Sequence, residues 1–371
     1  MNTLSPRERI IRTIEGKEID RIATFDIMHN IPLIEHLSGE KIDNKNAEDL
    51  LCRAASKSLD MIRHYSVPDF DGTKIVEDKD GFAYRYEWWT GHLIKRPDFK
   101  NIEEVVPIIE KDIEDIYNCI DQKKVCPVAN QHVNLFYEKF EYFEEVKEEY
   151  RRISEKLDGT VMMGPEMVQG IAVACERYDY KWWTYLYYDY PDIAVKYLDA
   201  LYDYELSFID SFADFDMCPF ANSSESVGLG DRLLFPYEFF KEIIIPREKK
   251  VVERWKKHNT YIFHFLDGYK WPVLDDYFGL GTDVIFPFEP YVGMDIIKFR
   301  EKYPEAVVCQ PIDCTHLLTY GTRDEIKDAV IKAIEDADKK KIIIGSTSEI
   351  SPNIDYRNAL LMYETARNYK F

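Results

Sequence analysis

The chain has 371 residues, of which 46% are hydrophobic and 31% charged, a composition that suits a large buried core and excludes a disordered protein. Its formal net charge of -20 and its lack of a basic, aromatic-rich stretch argue against nucleic-acid binding, because a phosphate backbone would be repelled. The chain contains no CxxC pair and no apolar run long enough to span a membrane, so we expect a cytoplasmic protein with reduced cysteines and no membrane contact.

Helix signals recur along the chain. Pro6 stands at the first position of a predicted helix that Gly16 ends. Pro191 and Pro236 begin two longer segments with apolar residues at helical spacing, and we expect the second helix to break or kink near Pro246. Other helices are predicted after Asn46 and over residues 139–157, 293–303, 322–339 and 355–369.

Eight short apolar runs lie between these helices and are typical of strands buried in a parallel sheet. They are Ile22–Phe25, Met61–Tyr65, Val161–Met163, Phe215–Cys218, Tyr261–Phe265, Asp283–Phe286, Ala306–Cys309 and Lys341–Ile344. Eight strands that alternate with helices predict an α/β protein, a single (β/α)8 TIM barrel over residues 1–371 with an N-terminal helix. The absence of a glycine-rich nucleotide motif argues against an open doubly wound sheet.

One insertion, at about residues 66–158, interrupts this alternation. Residues 74–89 alternate between apolar and polar side chains around Asp80 and Gly81, which predicts a β-hairpin with an Asp-Gly turn. A mostly helical segment follows it. We expect the insertion to pack on a rim of the barrel.

Polar residues follow most of the predicted strands. In chain order they are Asp26, His29, Glu166, Glu225, His264, Asp267, Glu289, Asp313 and Glu349. The carboxyl ends of the strands of a TIM barrel open on one mouth, where the chemistry takes place. Two carboxylates ~4 Å apart repel each other by about 4 kcal/mol at an effective dielectric near 20. Such a ring of acids predicts a metal, a cationic substrate or acid-base chemistry, unless the acids cap the helices that follow them.

We predict catalytic roles for four of the acids, Glu225, Asp267, Glu289 and Asp313. The predicted substrate-binding residues are Asp26, His29, Glu166, Tyr291 and Glu349. His264 is a candidate metal ligand or general base, and the alternative is a core histidine satisfied by its neighbours.

Five segments, in their order along the chain, resemble the uroporphyrinogen decarboxylase superfamily. They are "SPRERIIRTIEGKEIDRI", "LLFPYEFFKEIIIPREKKVVERWKKH", "FLDG", "GLGTDVIFPFEPYVGMDI" and "GSTSEISPNIDYRNALLMYETAR". The superfamily includes the decarboxylase and many corrinoid-dependent methyltransferases. The decarboxylase carries an Arg-Gln-Ala-Gly-Arg stretch after strand one, whereas this chain reads "FDIMHN" there. The chain therefore resembles the methyltransferases more closely.

That resemblance implies an enzyme that moves a methyl group from a small O-methyl (aryl among them) or N-methyl donor to the cobalt of a corrinoid held by a partner protein. Aromatic residues such as Trp88, Trp89 and Tyr291 could stack on the ring or serve as packing. Two alternatives stay open: a decarboxylase of a small or tetrapyrrole carboxylic acid, and a catalytically silent barrel that acts as a binding module. A homodimer is also left open.

Relatives that methylate thiols hold zinc through a His-x-Cys pair and a later cysteine. Here His264 is followed by Asp267, and Ser348 occupies the place of the late cysteine. Zinc is left open, and His264, Asp267, Glu225 and Glu289 form a second set that could hold a harder metal ion or simply position the substrate.

Overall fold

A computed structural model describes residues 3–63, 65–129, 139–166 and 170–371. Its strands are β1 (Ala23–Asp26), β2 (Met61–Ile62), β3 (Lys74–Glu77), β4 (Ala83–Glu87), β5 (Thr90–Lys95), β6 (Val161–Met162), β7 (Phe220–Ser226), β8 (Gly228–Leu229), β9 (Arg232–Leu233), β10 (Tyr261–Asp267), β11 (Val284–Phe286), β12 (Val307–Cys309) and β13 (Ile342–Ile344).

The helices are α1 (Pro6–Glu15), α2 (Ile31–Ser38), α3 (Ala47–Ser58), α4 (Val106–Gln122), α5 (Phe143–Lys156), α6 (Gly170–Asp189), α7 (Pro191–Phe212), α8 (Tyr237–Phe239), α9 (Ile245–Lys256), α10 (Leu274–Gly279), α11 (Ile296–Lys302), α12 (Leu317–Tyr320), α13 (Arg323–Asp336) and α14 (Tyr356–Arg367). None of the helices in the described ranges is both long enough and apolar enough to cross a membrane.

Eight of the strands form one parallel sheet that curls into a barrel. Their order is β6-β2-β1-β13-β12-β11-β10-β7. The ring closes where the Gly164 amide donates to the Phe220 carbonyl oxygen at 2.7 Å. Helices surround the sheet, so the predicted (β/α)8 TIM barrel is confirmed.

The barrel interior is filled by aromatic and aliphatic side chains. Phe25 lies 6.1 Å from Phe263 and 5.5 Å from Phe286, measured between ring centroids, with the rings edge to face. Side chains alternate along a strand, so Phe263 and Phe265 face the interior while His264 faces the surrounding helices. This alternation decides which polar residues can reach the mouth.

Seven of the predicted strands overlap the observed ones, but the fourth is wrong. Residues 214–217 form a turn, in which the Asp214 side chain accepts hydrogen bonds from the amides of Asp216 and Met217 at 3.0 and 3.3 Å. The strand begins at Phe220 instead and runs through the polar residues that follow it. Asn222, Ser223 and Glu225 on this strand are buried and take part in hydrogen bonds, which is why an apolar pattern does not reveal it.

Most of the helix ends predicted from the sequence are observed in the structure. The Ser5 hydroxyl caps α1, and Gly16 ends it with a left-handed φ of 68°. The break predicted near Pro246 is a π-helical turn, Phe240–Ile244, that joins α8 to α9. Helix α2 was not predicted.

The insertion between β2 and β6 contains the predicted hairpin, β3 and β4, with a turn at Gly81. A third antiparallel strand, β5, pairs with β4 and was not predicted. Helices α4 and α5 follow, while residues 130–138, within the helical segment expected there, lie outside the described residues.

Candidate active site

An arginine lies at the carboxyl-terminal end of the barrel. Arg63 follows β2, is 6% exposed, and places its guanidinium carbon 3.8 Å from the ring centroid of the inward-facing Phe265. Its Nη2 donates to both carboxylate oxygens of Glu166, at 2.8 and 3.1 Å. Asn222 donates to the same carboxylate at 2.8 Å. Glu166, predicted to bind substrate, therefore lies at the mouth and neutralises a buried cation there.

A second buried ion pair lies beside β10 and β11. Lys270 is 1% exposed and donates to Glu289 Oε2 at 2.8 Å and to the Pro287 carbonyl oxygen at 3.0 Å. The Gly268 amide also donates to Glu289 Oε2, at 3.0 Å. Gly268 has a φ of 75° and packs so closely on Gly228 that a side chain would not fit.

Burial raises the pKa of Glu289, while the Lys270 ammonium lowers this pKa and the Asp267 carboxylate raises it again. Asp267 has the same strand parity as Phe263 and Phe265, and its side chain is exposed to solvent. The predicted catalytic residues Asp267 and Glu289 are therefore neighbours at the mouth.

His29 and Glu349 form a third pair, at the ends of β1 and β13. His29 Nδ1 lies 2.8 Å from Glu349 Oε2. The ring centroids of Trp88 and Trp89, from the insertion, lie 5.7 and 6.0 Å from that of His29. Two of the predicted substrate-binding residues are thus in direct contact, under an aromatic wall.

Asp26, the last residue of β1, is fully buried and faces away from the barrel interior. Its carboxylate accepts hydrogen bonds from the Ile27 amide, the Ser346 amide and hydroxyl, and the Tyr363 hydroxyl. Burial raises the pKa of Asp26 to about 7. With four protein donors, Asp26 joins β1 to the β13 loop and to α14, which contradicts the prediction that it binds substrate.

His264 lies behind the sheet, and its position contradicts the prediction that it reaches the mouth. It is 0% exposed, its Nε2 lies 3.0 Å from Glu248 Oε2, and its Nδ1 lies 2.7 Å from Thr282 Oγ1. Both ring nitrogens have protein partners, as the alternative of a satisfied core histidine required.

Glu225 also lies behind the sheet, on the side of the helices. Its side chain projects from the same side of β7 as that of Ser223, whereas Asn222 projects from the opposite side. Its carboxylate accepts from the Ile171 amide at 3.1 and 3.2 Å, which caps the start of α6. Burial raises the pKa of Glu225 well above its usual value, and the Glu248 carboxylate raises it further. The prediction that Glu225 lies at the mouth is wrong.

Asp313 and Tyr291 lie on loops that follow β12 and β11. Asp313 Oδ1 accepts from the amides of Thr315 and His316, at 2.8 and 3.2 Å, and thereby shapes its own turn. Tyr291 is 64% exposed and meets the His316 ring edge to face. The structure gives Asp313 a local structural role and leaves Tyr291 at the rim.

The sequence pattern alone did not single out the two cations, Arg63 and Lys270. Arg63 falls inside the predicted strand Met61–Tyr65, where an arginine in an apolar run was itself a signal. Lys270 follows strand β10 by three residues. The mouth therefore contains two basic residues, and each of them is paired with an acid.

The four residues considered as a harder metal site divide between two places. His264 and Glu225 contact the helices, whereas Asp267 and Glu289 lie at the mouth. Across the described parts of the chain, no group of three His, Cys, Asp or Glu residues could hold a metal ion. The predicted set therefore does not surround one metal ion.

The model of the uroporphyrinogen decarboxylase (URO-D) family matches residues 122–369, well over half of the chain. The chain belongs to the uroporphyrinogen decarboxylase family. The family match begins in the insertion and includes every barrel strand from β6 onwards. A comparison with curated proteins finds no match.

Among solved structures, a methyltransferase from Methanosarcina mazei is similar over 98% of both chains, with a TM-score of 0.64 and 15% identity. At this identity the likeness shows a shared fold. A B12-independent methionine synthase from Shewanella sp. W3-18-1, in complex with selenomethionine, covers 93% of this chain and 96% of its own, with a TM-score of 0.37 and 11% identity.

Proposed function

We propose that this protein is a methyltransferase that binds a small O-methyl or N-methyl donor at the barrel mouth and transfers the methyl group to the cobalt of a corrinoid carried by a partner protein. Family membership and the fold shared with a methyltransferase over 98% of both chains support this proposal. The other support comes from the charges at the mouth.

The observation that carries the proposal is that both buried cations at the mouth are already neutralised. Arg63 is bound by Glu166, and Lys270 is bound by Glu289. Asp267 adds a further acid that is exposed to solvent. A substrate with several carboxylates would have to displace these partners and would meet a net negative rim. A neutral or cationic methyl donor meets no such penalty.

Transfer of a methyl group from oxygen or nitrogen needs a stable leaving group, and an acid near the site can supply a proton. Asp267 and Glu289 are neighbouring carboxyl groups at the strand ends, where TIM-barrel enzymes place their catalytic groups.

The partner's corrinoid needs an accessible face. Tyr291 and Tyr180 are 64% and 51% exposed at or near the mouth, and Tyr180 interacts electrostatically with Asp267. Exposed aromatic rings around an opening suit contact with a flat macrocycle. We propose that the corrinoid-binding protein approaches this side of the barrel.

The test mixes the purified protein with chemically reduced cob(I)alamin and one methyl donor at a time, drawn from aryl methyl ethers, methanol and methylamines. Loss of the Co(I) absorbance and appearance of the methylated cobalamin spectrum are expected with at least one donor. The E289Q variant is the matched comparison, and its folding is checked by circular dichroism.

The competing function is tested in parallel by incubating the protein with small carboxylic acids and with uroporphyrinogen, and measuring carbon dioxide. Release of carbon dioxide without any consumption of Co(I) would overturn the proposal. Activity in neither assay would favour the catalytically silent barrel.

A further inference from the structure

The pair formed by His29 and Glu349 has a defined hydrogen arrangement. An ionised carboxylate can only accept, so the 2.8 Å contact requires a hydrogen on His29 Nδ1. The backbone of His29 is also fixed, because its amide donates to the Ile350 carbonyl oxygen at 3.0 Å. In the neutral ring, Nε2 then carries a free lone pair, and in the protonated ring it carries a hydrogen to donate.

His29 Nε2 is buried and has no hydrogen-bond partner among the residues that the structure describes. The residue as a whole is 4% exposed. A buried polar atom left unpaired costs free energy, and a ligand that pairs with this nitrogen would remove that cost. Trp88 and Trp89 pack on the same ring, so that ligand would lie against an aromatic wall.

The geometry points to His29 as the proton donor to the leaving oxygen of an O-methyl compound, preferably an aryl methyl ether, with Glu349 as its positioning residue. The inference rests on the proposed methyl transfer and selects among its donors. His29 is one of the predicted substrate-binding residues, and here it gains a chemical role.

The proton balance of the step is complete. The methyl–oxygen bond breaks with its electron pair on oxygen, an electron pair of the reduced acceptor forms the new bond to the methyl carbon, and the oxygen takes the proton from His29 Nε2. The ring is then neutral, and its Nε2 can accept a hydrogen bond from the new hydroxyl group. Water returns the proton to the ring before the next cycle.

The same balance disfavours an N-methyl donor at this position. A quaternary or protonated amine leaves as a neutral amine and takes no proton in the step. Its nitrogen has no lone pair with which to accept from a protonated His29, whereas an ether oxygen has two. An orphaned Nε2 between a carboxylate and an aromatic wall therefore matches an ether.

Glu289 is less suited to this step, because its Oε2 already accepts from the Gly268 amide and from Lys270. Arg63 is held by Glu166, and a guanidinium does not give up its proton in proteins. Among the mouth pairs of the described chain, only the His29 pair leaves a buried nitrogen unpaired that can both carry and release a proton.

The experiment compares H29Q and E349Q with the wild type on two ethers, in the cob(I)alamin assay. The leaving group of anisole is the basic phenolate, which needs a proton. The leaving group of 4-nitroanisole is the stable nitrophenolate, which does not. We expect H29Q to lower kcat on anisole at least about 100-fold and to have a much smaller effect on 4-nitroanisole. E349Q should show the same pattern with a smaller loss. H36Q, which changes an exposed histidine stacked on Tyr356, is the control and should match the wild type.

A binding measurement that needs no corrinoid completes the test. Phenol should quench the tryptophan fluorescence of the wild type and bind H29Q more weakly. Equal losses on both ethers would show that His29 is only structural, and turnover of methylamines alone would overturn the inference while the proposed function stands. Methyl transfer from no donor at all would overturn both.

Discussion

Replacement of Asp26 with asparagine tests how burial acts on a carboxyl group just beneath the mouth. Each oxygen of the carboxyl group accepts one backbone amide, Ile27 on Oδ1 and Ser346 on Oδ2, both at 2.9 Å. Asparagine has a single oxygen, so one amide would face the donor group of the new side chain. An unsatisfied buried donor costs about 1–3 kcal/mol, so the free energy of unfolding of the D26N variant at acidic pH should be lower than that of the wild type by this amount.

The pH dependence gives the sharper magnitude. Burial raises the pKa of Asp26 to about 7 from its ordinary value of 3.8. Between these values the unfolded chain ionises while the folded protein keeps its proton, so the wild type loses stability as pH rises from about 4 to 7. At about 1.4 kcal/mol per pH unit, the loss approaches about 4 kcal/mol, whereas D26N has no such group to titrate.

The assay is urea unfolding of both proteins at a series of pH values from 4 to 8, followed by tryptophan fluorescence. We expect D26N to be the less stable protein at pH 4 and to equal or exceed the wild type at pH 8. The difference between the two proteins removes contributions from all other titrating groups. Two parallel stability curves over this range would refute the reasoning.

Three other variants test the remaining assignments. D112A removes the nearer and more deeply buried of the two carboxylates that pair with Arg177 and should lower the free energy of unfolding by about 3–5 kcal/mol in urea, and a loss below about 1 kcal/mol would contradict this account. E289Q takes the charged partner from Lys270 at the mouth and should lower kcat for methyl transfer by up to about 100-fold through misplacement of the neighbouring groups, while the far-UV spectrum stays that of the wild type; unchanged turnover would show that this ion pair does not position the site. H264Q loses its contact with Glu248 and should unfold at lower urea concentration, yet the folded variant should keep its turnover, and loss of a bound metal on this substitution would restore the ligand hypothesis.

The barrel was predictable because its signals are local. Pro6 and Gly16 mark the two ends of α1, and the apolar runs at 261–265 and 342–344 match strands β10 and β13. The resemblance to the uroporphyrinogen decarboxylase family was likewise carried by short segments in a fixed order. The fourth strand escaped detection because polar residues such as Asn222 occupy a buried strand whose hydrogen-bond partners are distant in sequence.

The site was only partly predictable. Both faces of a strand in a parallel barrel are buried, so an apolar pattern does not tell which face is the interior. His264 and Asp267 were therefore placed at the same mouth, although their opposite parity sends the first toward the helices and the second toward the opening.

The sequence by itself determined the fold class, the strand ends from which polar groups project, and the excess of acid over base. Only the tertiary structure decided which of those groups meet. Arg63 contacts Glu166, which is 103 residues away in the chain, and His29 contacts Glu349, which is 320 residues away. Charge pairing, burial and an unpaired ring nitrogen depend on distances between side chains remote in sequence, which barrel closure sets and local periodicity does not record.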